Sequence, residues 1–124
     1  MPCLSLLNLR DDCPGDFEPL AGVSLDFEPD SFNLVFGKAG SGRNRLLRLA
    51  GLMEAPQEGD IIVDGVPTRG WTSAERAEFR TRHFGFVFEA PLLIPGFNVA
   101  ENIAMPLFKL TEATPEFARD EAQR

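Results

Sequence analysis

Cysteine is scarce in this chain of 124 residues. There are two, Cys3 and Cys13, and neither has a histidine or a further cysteine at ligand spacing. That excludes a zinc pattern and a disulfide framework, and both are read as reduced thiols. Long apolar runs are also missing: none approaches the roughly 20 residues that cross a bilayer. The first seven residues carry no base and only a few apolar side chains, so no secretory leader is expected and the chain is expected in the cytoplasm. Repeats and low-complexity segments are absent, and the lone histidine, His83, is read as structural. What is present, 44% hydrophobic, 10% aromatic and 25% charged residues, is the balance of one soluble globular domain. A chain of this size buries about two-thirds of its unfolded surface, enough for one core.

The net charge of −7 argues against nucleic acid as a partner. Its distribution says more than its sum. Residues 1–30 hold seven acids against Arg10 alone, whereas residues 31–100 are nearly balanced, with seven acids and eight bases. Inside that block Lys38, Arg43, Arg45 and Arg48 form a basic stretch without an acid. On charge alone it is either a local anion site or a solvated helix face.

Patterning gives the elements. Leu4–Leu9 alternates weakly and reads as a strand, Asp11–Asp16 as a polar turn, and Val23–Phe27 as a half-buried strand of period two. Phe32–Phe36 is apolar and rich in strand formers, so a buried strand is expected. Leu46, Leu49, Ala50 and Met53 recur at helical spacing, with Arg45 and Arg48 on another face. Asp60–Val63 is a short strand entering the Asp64-Gly65 turn. Thr72 and Glu75 are spaced as a capping box for a helix to about Arg82. Phe84–Phe88 reads as a strand with three Phe on one face. Asn98 and Glu101 cap a short helix expected to stop at Pro106, and Thr114-Pro115 opens a last helix.

Chemistry enters between Phe36 and the helix. Gly37, Lys38, Ala39, Gly40, Ser41, Gly42, Arg43 and Asn44 form a glycine-bearing turn from strand to helix. Such a turn lets successive backbone N–H groups face one concavity, and the helix adds its unpaired first amides and the positive end of its dipole. The pair makes an anion site suited to phosphate. A nucleotide-binding P-loop reads G-x-x-x-x-G-K-[ST]. Gly37 and Gly42 fit its glycines, but Arg43 and Asn44 stand where lysine and a hydroxyl residue belong. Arginine keeps the charge on a wider planar fork, and Asn44 has an amide oxygen rather than a hydroxyl to offer Mg²⁺. The residues expected to bind nucleotide are Gly37 through Asn44 with Arg45. Phosphate binding is expected to survive and turnover is not.

The order and spacing of several short stretches resemble the N-terminal half of an ABC-transporter ATP-binding subunit, of the kind serving lipoprotein release and macrolide export. Those stretches are Gly22–Leu25, Gly37–Asn44 with Leu46-Leu47, Gly51-Leu52, Glu58–Asp60, Val63–Gly65, His83–Glu89, Leu92–Pro95 and Asn98–Ile103. The resemblance implies an α/β fold: a P-loop NTPase-like partial core with an antiparallel β subdomain, over about residues 1–90. The start of a helical subdomain would follow over 91–124, the chain ending before the signature motif. It implies ATP and Mg²⁺ as ligands, and Glu89 falls where the family's metal-reaching glutamine stands, making Asn44 and Glu89 the candidate metal ligands. The aromatic that stacks on adenine would fall near Cys13, where there is none. It further implies a membrane permease subunit as partner and a peripheral place at the inner membrane. The family's strand at Leu34–Phe36 is flanked by strands from the other half, so a second chain or self-association is expected to cover the open sheet edge. Two functions compete: a degenerate ATP-binding subunit, with weak or no nucleotide binding and no autonomous hydrolysis, and a non-catalytic interaction module that contacts a membrane or partner protein.

Overall fold

The computed structural model describes residues 3–12, 19–90, 92–110 and 114–123. The chain forms two compact units, residues 1–77 and 78–124.

The first unit is built on an antiparallel sheet of order β2-β1-β3-β4, from β1 (Leu4–Asp11), β2 (Leu20–Phe27), β3 (Glu58–Val63) and β4 (Val66–Pro67). β1 lies at its centre, with Leu6 opposite Leu25 on one side and Ile61 on the other. Its alternation is weak because it carries a bulge. Between Leu6 and Leu9 the strand advances three residues while β2 advances two, and between Leu7 and Arg10 the same happens against β3. The extra residue is Asn8, in the left-handed region at φ 47°, and its amide donates to Ser24 Oγ at 2.9 Å. A bulge reverses the inward face: Leu6 is buried before it, and Leu9 and Asp11 are buried after it. Gly59 of β3 makes room for it. At φ 91°, a Cβ there would stand 2.6 Å from the Asn8 carbonyl oxygen and closer still to that of Leu7.

The bulge therefore carries a carboxylate inward. Asp11 has no exposed side-chain surface, and it is met by a fork from Arg45, with Nε to Oδ1 at 2.9 Å and Nη2 to Oδ2 at 3.0 Å. Arg45 belongs to helix α1 (Arg43–Ala50), so the pair ties the end of β1 to the first turn of that helix. Arg45 also pairs with Glu54, which accepts from Arg48 Nε at 2.8 Å. The unit's buried apolar residues are Leu6, Leu9, Leu20, Ile61 and Val63 of the sheet, Leu46 and Leu49 of α1, and Leu52 just past it. α1 ends at Ala50, one turn earlier than its periodicity suggests. Leu52 takes the left-handed conformation (φ 56°), and the Met53 amide closes back on the Arg48 carbonyl at 2.9 Å, the bond of a Schellman ending. Met53 is thus outside the helix. Asp64 and Gly65, both at positive φ, form the expected tight turn between β3 and β4.

Phe32–Phe36 is not a strand. No ladder bond reaches it among the described residues, and Phe32 and Phe36 are 90% and 85% exposed. Its apolar composition suits a strand, but burial and pairing need a neighbouring strand, and this unit's sheet does not extend to it.

Helix α2 (Ser73–His83) starts in the first unit and runs into the second. Its capping box is formed: Glu75 Oε2 accepts from the Thr72 amide at 2.7 Å and hydroxyl at 2.8 Å, and Thr72 Oγ1 accepts from the Glu75 amide at 3.2 Å. These bonds from Thr72, the backbone one foremost, hold the Glu75 carboxyl below its usual range. In the second unit His83 stacks on Phe79, centroids 4.1 Å apart, which agrees with a structural role. Phe84, Phe86 and Phe88 stack in a row at 5.9 and 5.8 Å. That is the period-two face expected of a strand, yet the segment has no ladder partner among the described residues and Val87 is fully exposed. Helix α3 (Val99–Leu110) carries the Asn98–Glu101 box, with bonds of 3.0 and 2.9 Å. It continues through Pro106 instead of stopping there. Proline removes one N–H from the helix, while the packing of α3 on α4 (Pro115–Gln123), with Ala104 and Ala118 wholly buried, holds the element together. Thr114 caps α4 at the Phe117 amide, 3.3 Å away. Cys3 is a free thiol donating to the Phe27 carbonyl at 3.2 Å; Cys13 and the turn at Pro14-Gly15 lie outside the described residues. No helix of the described residues is long and apolar enough to cross a membrane.

Two stability outcomes follow from the bulge and its ion pair. Gly59→Ala should lose about 3 kcal/mol in denaturant titration, since the new Cβ meets backbone as well as an unfavourable φ. Gly70→Ala, at φ 90° with nothing within 4 Å, should lose only about 1 kcal/mol; equal losses would refute the bulge argument. Arg45→Met should cost about 3–5 kcal/mol by stranding a buried carboxylate. The Asp11→Ala/Arg45→Met double variant should then be less destabilised than the sum of its singles, and plain additivity would refute the pair.

Candidate functional site

The first unit opens a cavity of about 490 Å³ where the glycine-bearing loop meets α1. Lys38 through Arg45 line it, with Arg48 and Glu54. The loop turns on Gly40 and Gly42, at φ 82° and 80°; a side chain at either would be strained there. Between them the Ser41 amide bonds the Lys38 carbonyl at 3.2 Å, closing a tight turn.

The start of α1 differs from the other helix starts in a way that favours an anion. α2, α3 and α4 each have a side chain that accepts from a first-turn amide. α1 begins from Gly42 with no side-chain cap and no acid in its first turn. The Leu46 amide is the first to close on the helix, reaching the Gly42 carbonyl at 2.8 Å. The amides of Arg43, Asn44 and Arg45 precede it, without intrahelical acceptors and at the positive end of the dipole. The Ser41 hydroxyl is buried without a hydrogen-bond partner. It lies against Gly37 and not toward the open cavity, so it is not among the groups that could meet a ligand. Glycine clearance and the open amides fit a phosphate group.

The cations of the basic stretch divide by what they hold. Arg45 and Arg48, counted in the sequence with the acid-free stretch, are joined to Asp11 and Glu54, acids lying outside that stretch in sequence. Arg45 therefore lines the cavity with its fork already engaged. Arg43 turns its Nη1 onto the Gly37 carbonyl oxygen. Lys38 lies in the loop among the lining residues. Asn44 is exposed at the same mouth, while Glu89 is an exposed residue of the second unit. Among the described residues no three His, Cys, Asp or Glu side chains gather as a metal cluster. Asn44 has one amide oxygen to share with a phosphate-bound Mg²⁺, which keeps several waters and takes few protein ligands. Sequence reasoning missed Glu54, the one carboxylate lining the cavity among the described residues, and Asp11. A signal existed for Glu54: Arg45 and Arg48 are three apart on one helix face, and an acid follows soon after the helix end. None existed for Asp11, whose inward turn depends on the bulge.

Comparison with known proteins gives the family. The family model described as ABC transporter matches residues 20–124. The lipoprotein-releasing system ATP-binding protein LolD of Bordetella pertussis is 37% identical over 97 residues, covering 78% of this chain and 42% of that protein. The ABC transporter ATP-binding protein YtrE of Bacillus subtilis is 39% identical over 88 residues, covering 71% and 38%. Among solved structures, the ATP-binding cassette MJ0796, a dimer in a post-hydrolysis state bound to ADP and phosphate, matches at TM-score 0.86 and 27% identity, over 97% of this chain and 54% of that one. The chain spans less than half the length of these two curated relatives. A cassette-like fold over 97% of the chain and a family match over residues 20–124 place this chain in the ABC transporter family, as the N-terminal part of an ATP-binding domain.

Proposed function

We propose that this chain is a degenerate part of an ABC-type exporter's ATP-binding subunit, holding a nucleotide's phosphates weakly at Gly37–Asn44 and not hydrolysing the nucleotide alone. The observation that carries the reading is the uncapped start of α1 at the cavity, with no acid in its first turn. The relatives' names, ATP-binding proteins of a lipoprotein-releasing system and of another ABC transporter, support ATP as the ligand, and Mg²⁺ would accompany it on Asn44. No turnover is proposed because hydrolysis needs a group that orients the attacking water. Among the described residues the single carboxylate lining the cavity, Glu54, is held by Arg45 and Arg48. Partners follow from the same family: a membrane permease subunit, which would place the chain peripherally at a membrane, and a second polypeptide or a second copy pairing with the uncovered segment Phe32–Phe36.

A second reading has its own observation. In the second unit a cavity of about 510 Å³ is lined by Leu93, Ile94, Pro95, Phe97, Val99 and Ile103 with Gly96 and Asn102, and Leu92, Leu93 and Val99 are largely exposed. Exposed apolar surface of this kind marks interaction sites, which suits a non-catalytic module contacting a membrane or partner protein.

Thermal unfolding with and without Mg-ATP separates the two. Ligand at 100-fold excess over Kd should add about 2.7 kcal/mol of stability, and no shift at millimolar ATP moves the assignment to the interaction module. Phosphate release by the chain alone should stay at the blank; release above it would overturn the absence of turnover.

A further inference from the structure

Past β4 the chain turns back on β3 before α2 begins. The Thr68 amide bonds the Ile61 carbonyl at 2.9 Å, the Arg69 amide bonds Asp60 Oδ1 at 3.0 Å, and the Trp71 amide closes on the Thr68 carbonyl at 3.0 Å. Thr72 then caps α2, and Arg76 follows one turn later. Its side chain folds back so that Nη1 donates to the Trp71 carbonyl at 2.6 Å. These bonds frame a cleft of about 110 Å³ in the first unit, lined by Pro56, Ile61, Thr68, Trp71 and Arg76 among others. Glu54 borders both this cleft and the phosphate cavity, but no residue of Gly37–Asn44 lines the cleft.

Arg76 is a half-buried cation whose only hydrogen bond among the described residues goes to a neutral carbonyl. Two carboxylates line the same cleft, and both are engaged elsewhere. Glu54 is joined to Arg45 and Arg48, and Asp60 Oδ1 accepts from the amides of Ile61 at 2.8 Å and Arg69 at 3.0 Å. A cation drawn partly out of water without a counter-charge is costly, and an anion relieves that cost. The Arg76 Nε is enclosed by protein without a partner, so the terminal nitrogens are the donors left for a ligand. Their planar arrangement matches a carboxylate. Size and charge narrow the class. A water's share of the liquid is about 30 Å³, so the cleft holds only a few non-hydrogen atoms. Asp60 and Glu54 would repel a second negative charge, which disfavours a dianion. Pro56, Ile61 and the Trp71 indole border the cleft with apolar surface suited to a short carbon stem. We propose, independently of the phosphate reading, that this cleft binds a short monocarboxylate, with the Arg76 guanidinium taking its oxygens and Trp71 and Ile61 bordering its carbons.

Trp71 is the chain's single tryptophan, so its emission reports on the cleft directly. Titration of the full chain with sodium propionate should change that emission saturably, and sodium chloride at equal ionic strength should not. Arg76→Gln, checked for folding by its thermal transition, should bind propionate about tenfold more weakly or worse, the loss of one charge-assisted pair. Unchanged affinity in the folded variant overturns the site. Should the variant not fold, backbone amide shifts of the isotope-labelled wild type decide. Propionate should move Ile61, Thr68, Gly70 and Trp71; shifts centred on Gly37–Asn44, or none at all, would overturn the proposal and leave the phosphate reading to its own test with Mg-ATP.

Discussion

A carboxylate with no water around it needs a cation, or the segment that holds it will not stay folded. Asp11 is that carboxylate here and Arg45 its counter-charge. Much of the first unit is arranged through this contact. Because Asp11 ends β1 and Arg45 sits in the first turn of α1, the fork between them sets where the helix starts relative to the central strand. The loop from Gly37 to Gly42 has to lead into that fixed start, which helps keep the first amides of α1 together. The same contact bears on the site's electrostatics. With Arg45 and Arg48 committed to carboxylates, the attraction for an anion comes first from the backbone donors at the start of α1.

Local chemistry is legible in the order of the residues. Both capping boxes, the Asp64-Gly65 turn and the proline that opens α4 depend on residues within a few positions of one another, and each forms as its spacing implies. The glycine-bearing loop is legible for the same reason. What the pattern does not carry is pairing. Phe32–Phe36 and Phe84–Phe88 have the composition of buried strands, and the second even shows the alternation in its stacked rings. A strand, however, is a relation between two segments, and the second segment leaves no trace in the first. The bulge at Asn8 is hidden likewise. Its cause is shared by Asn8, Ser24 and Gly59, distant in sequence, and without it the inward turn of Asp11 is invisible.

Pro106 and Leu52 show the reverse error, in which a strong local rule gives way to packing. Proline inside a helix is normally read as an end, yet α3 runs on while Ala104 is buried where it packs against α4. A left-handed residue at a helix end is normally glycine, yet Gly51 sits one place too early and Leu52 takes that conformation, wholly buried. In both places tertiary burial outweighs an unfavourable local conformation.

Phe32 and Phe36 stand almost bare to solvent. Collisions between such segments rise with the square of concentration, whereas the folding of a single molecule does not depend on it. A partner of the kind proposed above, if it covers these rings, would compete with self-association, and rising concentration of this chain alone would favour self-association. Dosage, more than intrinsic fold stability, would then govern how much of this protein stays in solution.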